Sequence, residues 1–360
     1  MSRPSRRSRG SVTIEDVARQ AGVSAMTVSR VINGEKNVRD STRAAVQDAI
    51  NRLNYSPNTA ARNLAAGQAT HIGLLYANPS AAYLSQFLVG ALEGARRAGC
   101  HLVIEACESE GADEQAEATR RFLTTNVEGV ILPPPLSESQ PILAELAAAQ
   151  IPVVTVAMGR PRSDALNVRI DDFAAAKEMT DHLLALGHQR IGLIKGHPTH
   201  IATIERARGF RAALEEHGID PEAAPIEQGY FTFRSGLVAT ERLLARPEPP
   251  TAIFACNDDM AAAAVSVAHR KGLAVPEDIS IVGFDDTAPA TTVWPELTTV
   301  RQPISAMAEA ALELLLEDVR ERRSGSPTGA VERVLEHQLI VRESSGAPAS
   351  SRPRVVRAGR

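Results

Sequence analysis

Two groups of residues stand where their types and spacing suit chemistry. Near the N-terminus, Ala25, Met26, Ser29 and Arg30 face outward from a short helical pattern whose inward face is Val28, Val31 and Ile32. Much later, Asn257 and Asp258, then Asp285 and Asp286, follow closely on the apolar runs TAIFA (251–255) and ISIVGF (279–284). An arginine presented by a helix suits the edges of DNA bases. Polar groups just past strand ends suit a small ligand, because open α/β sheets bind ligands beyond the carboxyl ends of their strands. Enzymatic patterns are missing: there is no Walker loop, no Gly-x-Ser-x-Gly elbow, no HExxH and no metal-type cysteine pair. The Asp285–Asp286 pair is the best enzymatic candidate, although Asp258 and Asp286 also read as helix-capping or structural groups. His197 and His200 lack acidic or thiol partners at ligand spacing, so neither a metal nor a cofactor is expected.

The outward-facing arginine needs a rigid mount, and the stretch Thr13–Gly34 provides one. Thr13 can cap a first helix, with Asp16 near the positive end of its dipole. Ile14, Val17, Ala18 and Ala21 share one face of that helix, and Gly22 permits a sharp turn. Ser24 can cap the second helix. Two short helices joined this way make a helix-turn-helix, whose second helix fits the major groove. A third helix, Ser41 to Asn51 with Ser41 as cap, is expected to close the core through Ala45, Val46, Ile50 and Leu53, with Tyr55 nearby. Ser56 and Pro57 then open a short fourth helix, Asn58 to Ala66, too short to be stable alone in water.

Charge is divided along the chain. Residues 1–66 carry eleven Lys/Arg against five Asp/Glu, whereas the remainder carries 28 against 38. A basic head on an acidic body is the electrostatic footprint of a nucleic-acid reader joined to something else. The first residues, rich in Ser and Arg, and the Ser/Pro/Arg-rich C-terminal tail are expected to be disordered. No apolar run reaches membrane-spanning length, and the basic N-terminus lacks the apolar stretch of a secretory signal. With Cys100, Cys107 and Cys256 at no ligand-like spacing, a cytoplasmic, nucleoid-associated protein is expected.

The body alternates apolar runs with amphipathic stretches. Strands are expected at 72–76, 101–106, 129–133, 152–156, 190–195, 251–255 and 279–284. Helices are expected at 83–98, 113–126, 138–149, 172–186, 203–217, 233–245, 258–271 and 304–322, and VLEHQLIVRESS supplies a closing strand. Strands alternating with helices imply parallel sheets covered on both faces. An interruption near 157–170 divides them into two similar α/β lobes. Residues just past the strands are Asn78 to Tyr83, Cys107, Ala157, Met158, Gly196, His197 and the two acidic groups above.

The run AGVSAMTVSRVING, the third helix and LNYSPNTAARNLA together resemble the LacI/GalR family of bacterial transcription regulators. The resemblance continues along nearly the whole chain, to LIVRESS at 339–345. It implies an all-α helix-turn-helix head plus a two-lobed, periplasmic-binding-protein-like α/β body with parallel sheets, the chain crossing between lobes more than once, as at LTTVRQP (297–303). The implied divisions are a basic tail at 1–11, the DNA-binding domain at 12–56, hinge helix and linker at 57–68, the effector-binding and dimerisation domain at 69–342 and a tail at 343–360. By the same resemblance Ala25, Met26 and Arg30 read bases, while Ser24, Thr27 and Asn33 contact phosphates. Leu64 enters the minor groove as a wedge that bends the duplex. In the body, Arg206 of IERARGF grips ligand oxygens, and Asn257 of CNDD and Asp285 of GFDD bind hydroxyls. Phe231 of GYFTFRSG stacks on the ligand and Tyr83 supplies an aromatic from the opposite lobe. Hydrogen-bonding groups, a forked arginine and flat rings suit a polyhydroxylated ring.

The expected protein is therefore a homodimeric repressor that reads a pseudo-palindromic operator under control of a small effector, a carbohydrate. A purine effector and a solute-binding protein without transcriptional role remain alternatives. Tetramers are not expected, since the polar tail carries no leucine heptads.

Overall fold

In a computed structural model, residues 13–32, 38–53, 70–107, 111–158, 165–325 and 329–348 are described. The chain divides into two units, 1–69 and 70–360.

The first unit contains α1 (Ile14–Ala21), α2 (Ala25–Ile32) and α3 (Asp40–Leu53). A capping box starts α1: the Asp16 amide donates to Thr13 Oγ1 at 3.3 Å and the Thr13 amide to Asp16 Oδ2 at 2.9 Å. The helix stops at Gly22, which takes the left-handed φ of +67° that a side chain would resist. Ser24 then caps α2 by accepting from the Thr27 amide at 3.2 Å. Val17, Val28 and Val46 are fully buried where the helices meet, contributing about 1.5–3 kcal/mol each. Two expectations for α3 are corrected. Ala45 is exposed and Ala49 takes its place, because the helical repeat from Val46 passes through 49, 50 and 53. Ser41 lies inside the first turn, the helix having begun at Asp40. Tyr55, the fourth helix and Leu64 fall outside the described residues, as do Asn33 and the basic tail.

The second unit holds two six-stranded sheets. Its first lobe contains β1 (His71–Tyr76), β2 (His101–Ala106), β3 (Gly129–Leu132), β4 (Val153–Val156), β5 (Leu166–Arg169) and β11 (Val331–Val334), in the order β11-β5-β4-β3-β1-β2. The second lobe contains β6 (Ile191–Lys195), β7 (Ile226–Gln228), β8 (Ala252–Ala255), β9 (Ser280–Asp285), β10 (Thr298–Arg301) and β12 (Gln338–Ile340), in the order β12-β10-β9-β8-β6-β7. All pairings are parallel except β10 with β12. Continuous burial of β3, β8 and β9 explains their unbroken apolar sequences.

Helices α4 (Ala81–Ala98), α5 (Ala112–Leu123), α6 (Gln140–Ala148) and α12 (Ile304–Ser324) cover the first sheet. The second is covered by α7 (Asp172–Ala185), α8 (Ile201–Glu216), α9 (Phe233–Leu244) and α10 (Asp258–Arg270), with the short α11 (Ala288–Thr292) against α10. The stripe Met307, Ala311, Leu314 and Leu315 of α12 is buried, as its spacing requires. The chain crosses between lobes three times: after β5, at Gln302–Pro303 after β10, and between β11 and β12.

Short strands escaped the sequence reading: β7 was not expected, and β10 fills most of the stretch read as a crossover between lobes. β5 lies inside the stretch taken for an interruption, and the single closing strand is two, β11 and β12, one in each lobe. Residues 343–348, assigned by composition to the disordered tail, are packed. Ser344 is fully buried, accepts from the Thr298 amide at 2.8 Å and donates to the Ile281 carbonyl. The Gly346 carbonyl meets the buried ring of His188 at 2.9 Å. Hydrogen bonds from backbone and side chains, not hydropathy, hold this segment.

Candidate functional site

In the head unit, five of the sequence-predicted DNA contacts lie in and just before the first two turns of α2. Ser24 and Thr27 hydroxyls stand 2.9 Å apart at its N-terminus, where the helix dipole favours phosphate. Met26 is 66% exposed and Arg30 is exposed, whereas Ala25 is half-buried. The outward face is thus apolar at its start and cationic one turn later.

In the body, the strand ends converge on a cavity between the lobes. All five residues predicted for the effector line it: Tyr83 and, across the cleft, Arg206, Phe231, Asn257 and Asp285. Ala157 also reaches it, while Met158 is buried outside its lining.

Arg206 is the anchor of the second-lobe wall. Its Nε donates to Asp172 Oδ1 at 2.8 Å, its Nη1 to the Cys256 carbonyl at 2.5 Å, and Nη1 lies 3.9 Å from Asp285 Oδ1. The guanidinium carbon sits 3.6 Å from the centre of the buried Phe284 ring, a cation–π contact. Asp285 also accepts from Gln302 Nε2 at 2.6 Å. Burial pushes the Asp285 carboxyl up to about 7, with Arg206 and Gln302 pulling it down and Asp259 and Asp172 opposing them.

Asn257 acts on its surroundings. Its Oδ1 accepts from the Met260 amide at 3.0 Å, capping α10, and its Nδ2 donates to the Phe231 carbonyl at 3.0 Å. It thereby helps hold Phe231 at a φ of +59°. Ala157 and Asp285 have positive φ as well, +57° and +111°. Three non-glycine residues in this costly region around one cavity match the way binding sites store backbone strain.

Phe231 owes its place to Gly196. A Cβ there would lie 1.9 Å from the Phe231 ring. Gly196→Ala is therefore expected to displace the ring, lowering stability by about 1–3 kcal/mol and effector affinity by roughly tenfold. Urea denaturation and calorimetric titration measure both. The double variant with Phe231→Leu should recover stability without affinity; unchanged affinity in Gly196→Ala would show that the ring is not part of the site.

Facing this wall, Tyr83 is buried and its hydroxyl has no hydrogen-bond partner among the described residues. Burial and the Asp285 charge raise its pKa above the ordinary value. A buried hydroxyl without a partner is rare, and this one belongs to a residue on the cavity wall.

The lobes touch through polar ties. Ser80 Oγ donates to Asp259 Oδ2 at 2.6 Å and Gln86 Nε2 to the Asp286 carbonyl at 3.3 Å. The third tie is Glu138, whose two carboxylate oxygens accept from the Ile201 amide at 3.1 Å each. His200, the N-cap residue of α8, gives no side-chain cap, so a carboxylate from the opposite lobe serves that helix end.

Burial pushes Glu138 up to about 7, against the pull of the Ile201 amide and with a further push from Asp172. The folded protein then binds this proton more tightly than the unfolded chain does. Stability from this group falls as pH rises from the ordinary carboxyl range through about 7. Glu138→Gln cannot titrate. The melting temperature of the variant minus that of the parent should grow between pH 5 and 7.5 and level off above; a constant difference would mean that Glu138 titrates normally.

Sequence reading missed Glu138, Gln302 and Asp172. The strand-end rule applied to β3 points at Pro134–Glu138, and Gln302 lies within the LTTVRQP crossover. Asp172 carried no signal, because only the packing of α7 on α8 sets it against Arg206. Asp258 and Asp286 are structural. Buried Asp258 accepts from Thr287 and Thr299, and Asp286 pairs with Arg301 and Arg342 at 2.6 Å each, outside the cavity lining. Among the described residues no group of His, Cys, Asp and Glu is placed to hold a metal, and no helix is long and apolar enough to cross a membrane.

A helix-turn-helix carried on the same chain as a two-lobed binding clamp defines a ligand-responsive DNA-binding regulator. Residues 13–58 match the model of bacterial regulatory proteins of the lacI family, and 180–345 match the periplasmic binding protein-like domain. Catabolite control protein A of Priestia megaterium is 34% identical over 307 residues, covering 84% of this chain and 91% of that protein. The HTH-type transcriptional regulator CelR of Thermobifida fusca is 35% identical over 339 residues, covering 92% and 98%. Among solved structures, a CelR–cellobiose complex matches with a TM-score of 0.70 at 32% identity, covering 93% of this chain and all of that one. A lac repressor dimer bound to operator and an anti-inducer matches at 0.69 and 30%, covering 94% and 100%. The chain belongs to the LacI family of bacterial regulatory proteins, which are DNA-binding transcriptional regulators and not enzymes.

Proposed function

We propose that this regulator is a homodimeric, cytoplasmic repressor whose operator affinity is set by a carbohydrate held between the lobes. One observation carries the reading: around a single cavity, a forked arginine and hydrogen-bonding groups on one wall face an aromatic hydroxyl with no partner among the described residues on the other. Arg206 Nε and Nη1 are already held by protein acceptors, so Nη2 meets the ligand oxygen. Asp285 accepts from ligand hydroxyls, Tyr83 donates to one, and Phe231 covers the apolar face of the ring. Asn257 contributes mainly by fixing Phe231. This constellation suits a neutral polyol better than a phosphate, since the buried acidic groups repel anions. The CelR structure holding cellobiose supports the same class.

In the head, Arg30 reads a base edge with Ala25 and Met26 making apolar contact, Ser24, Thr27 and Asn33 hold phosphates, and Leu64 wedges the minor groove. Residues 57–68 serve as the hinge through which lobe closure alters operator binding. Two heads related by the dimer axis read a pseudo-palindrome. Coupling between sugar and operator is reciprocal.

The test is binding of the purified protein to fragments of its own upstream region, at fixed salt, with and without a panel of sugars, sugar phosphates and nucleobases. A neutral sugar that releases or tightens a specific complex supports the reading. A nucleobase acting alone overturns the carbohydrate assignment, and failure to form any specific complex overturns the regulator assignment.

A further inference from the structure

Asp285 reaches the cavity wall from a turn that local preference disfavours. Its φ is +111° and that of Asp286 is +56°. Two consecutive non-glycine residues in this region persist only where their surroundings over-determine them. The turn is gripped from two sides. Within the second lobe, the buried Asp258 carboxylate accepts from the Thr287 amide and from the Thr299 hydroxyl, at 2.7 Å each. On the other side the Asp286 carboxylate takes one arginine on each oxygen. Arg301 Nε donates to Oδ2 and Arg342 Nη2 to Oδ1, both at 2.6 Å.

The two arginines come from different parts of the chain. Arg301 ends β10, where it lies in register with Asp285, and it precedes Gln302, whose side chain donates to Asp285 Oδ1. Arg342 follows β12 and is itself fixed by the Leu297 carbonyl at 2.8 Å and Glu296 at 3.5 Å. The side chains of Asp286 and Arg342 are 7% and 14% exposed, so water screens their pair little. The Asp286 carbonyl meanwhile accepts from Gln86 of the first lobe.

We infer that Asp286 is a positioning residue of the effector site: clamped between Arg301 and Arg342, it holds the turn that aims the Asp285 carboxylate at the cavity and offers its own carbonyl to the opposite lobe. The inference rests on the reading of Asp285 as an effector ligand and deepens it. Asp286 lies outside the cavity lining, so its influence reaches the ligand only through the backbone. Freed from the clamp, the turn relaxes toward negative φ and swings the Asp285 carboxylate away from Arg206 and Gln302.

The ionisation of Asp285 reports its placement without any ligand. Burial holds its carboxyl up at about 7, against Arg206 and Gln302 and with Asp259 and Asp172, and Asp258 is a further carboxylate facing it. The folded parent therefore loses stability as pH rises from the ordinary carboxyl range through about 7. In full-length protein, the melting temperature of Asp285→Asn minus that of the parent should grow between about pH 5 and 7.5. With Asp286→Ala added to both proteins this growth should disappear, because the released carboxyl titrates in water. Arg301→Met cuts one pair at a side chain 49% exposed, so it folds even where Asp286→Ala does not. It should shrink the growth, and Arg301→Lys, which keeps the charge, should preserve it. Cellobiose and glucose are titrated calorimetrically in parallel, and Asp286→Ala or Arg301→Met should weaken whichever the parent binds, the former by about tenfold or more. Growth absent from the parent pair, or unchanged in the clamp variants, overturns the clamp. Growth lost with sugar affinity unchanged overturns its role in the effector site. Growth lost in a protein whose parent binds neither sugar upholds the clamp and counts against the carbohydrate reading alone.

Discussion

Arg206→Ala is expected to lower the stability of the folded body by about 3–5 kcal/mol, the usual consequence of removing one partner from a buried ionic group. Arg206 and its partners Asp172 and Asp285 are each 4–6% exposed, so water cannot replace the lost charge. The sign depends on pH in a way that separates this cause from lost packing. Burial already raises both carboxyls, and Arg206 is the largest influence holding them down. Without it they take up protons, and the variant approaches its parent as pH falls. The stability difference should therefore be largest near pH 8 and clearly smaller near pH 5, as read by urea denaturation. A difference independent of pH would mean that the loss comes from the cation–π contact with Phe284 and from packing. DNA binding by the variant should also stop responding to effector, since the guanidinium is the proposed grip on the ligand. A variant that still responded fully would remove Arg206 from the binding machinery.

The second large effect is expected at the other end of the molecule. Arg30→Ala should reduce discrimination between the operator and unrelated DNA by about 1–3 kcal/mol, or roughly 5- to 150-fold, with the loss concentrated at one base pair in each half-site. Arg30 is exposed on α2 and outside the small core, so the head keeps its fold. Binding measured at several salt concentrations distinguishes the roles. A base-reading arginine changes sequence preference, whereas a phosphate-binding one weakens all sequences alike and reduces the salt slope by about one. A uniform loss with a smaller slope would move Arg30 from reader to anchor. Effects at Arg30 and Arg206 should remain separable in effector-free protein, because they act on different units.

These two arginines also mark how far the sequence carries. Periodicity and caps alone determined the helix-turn-helix, because each of its signals is local: Thr13 with Asp16, Gly22, Ser24, and the buried faces around Val17 and Val28. They also determined seven apolar strands and the eight main helices of the body, most plainly β3, β8 and β9, where burial on both faces leaves a continuous hydrophobic run. The strand-end rule and the family resemblance together picked five residues that tertiary structure brings around one cavity. Local signals failed where partners come from far along the chain. β5, β7, β10 and β11 carry no unbroken apolar run, and they exist because neighbouring strands offer them hydrogen bonds. The segment 343–348 is ordered by His188, Thr298 and Ile281, none of them near it in sequence. Only the folded lobes set Asp172 beside Arg206, turned Asn257 toward Phe231 and placed Glu138 on the first turn of α8. Hydrogen bonds and ion pairs act over a few ångströms in space whatever the separation in sequence. Packing therefore chose those partners, while periodicity chose the elements that carry them.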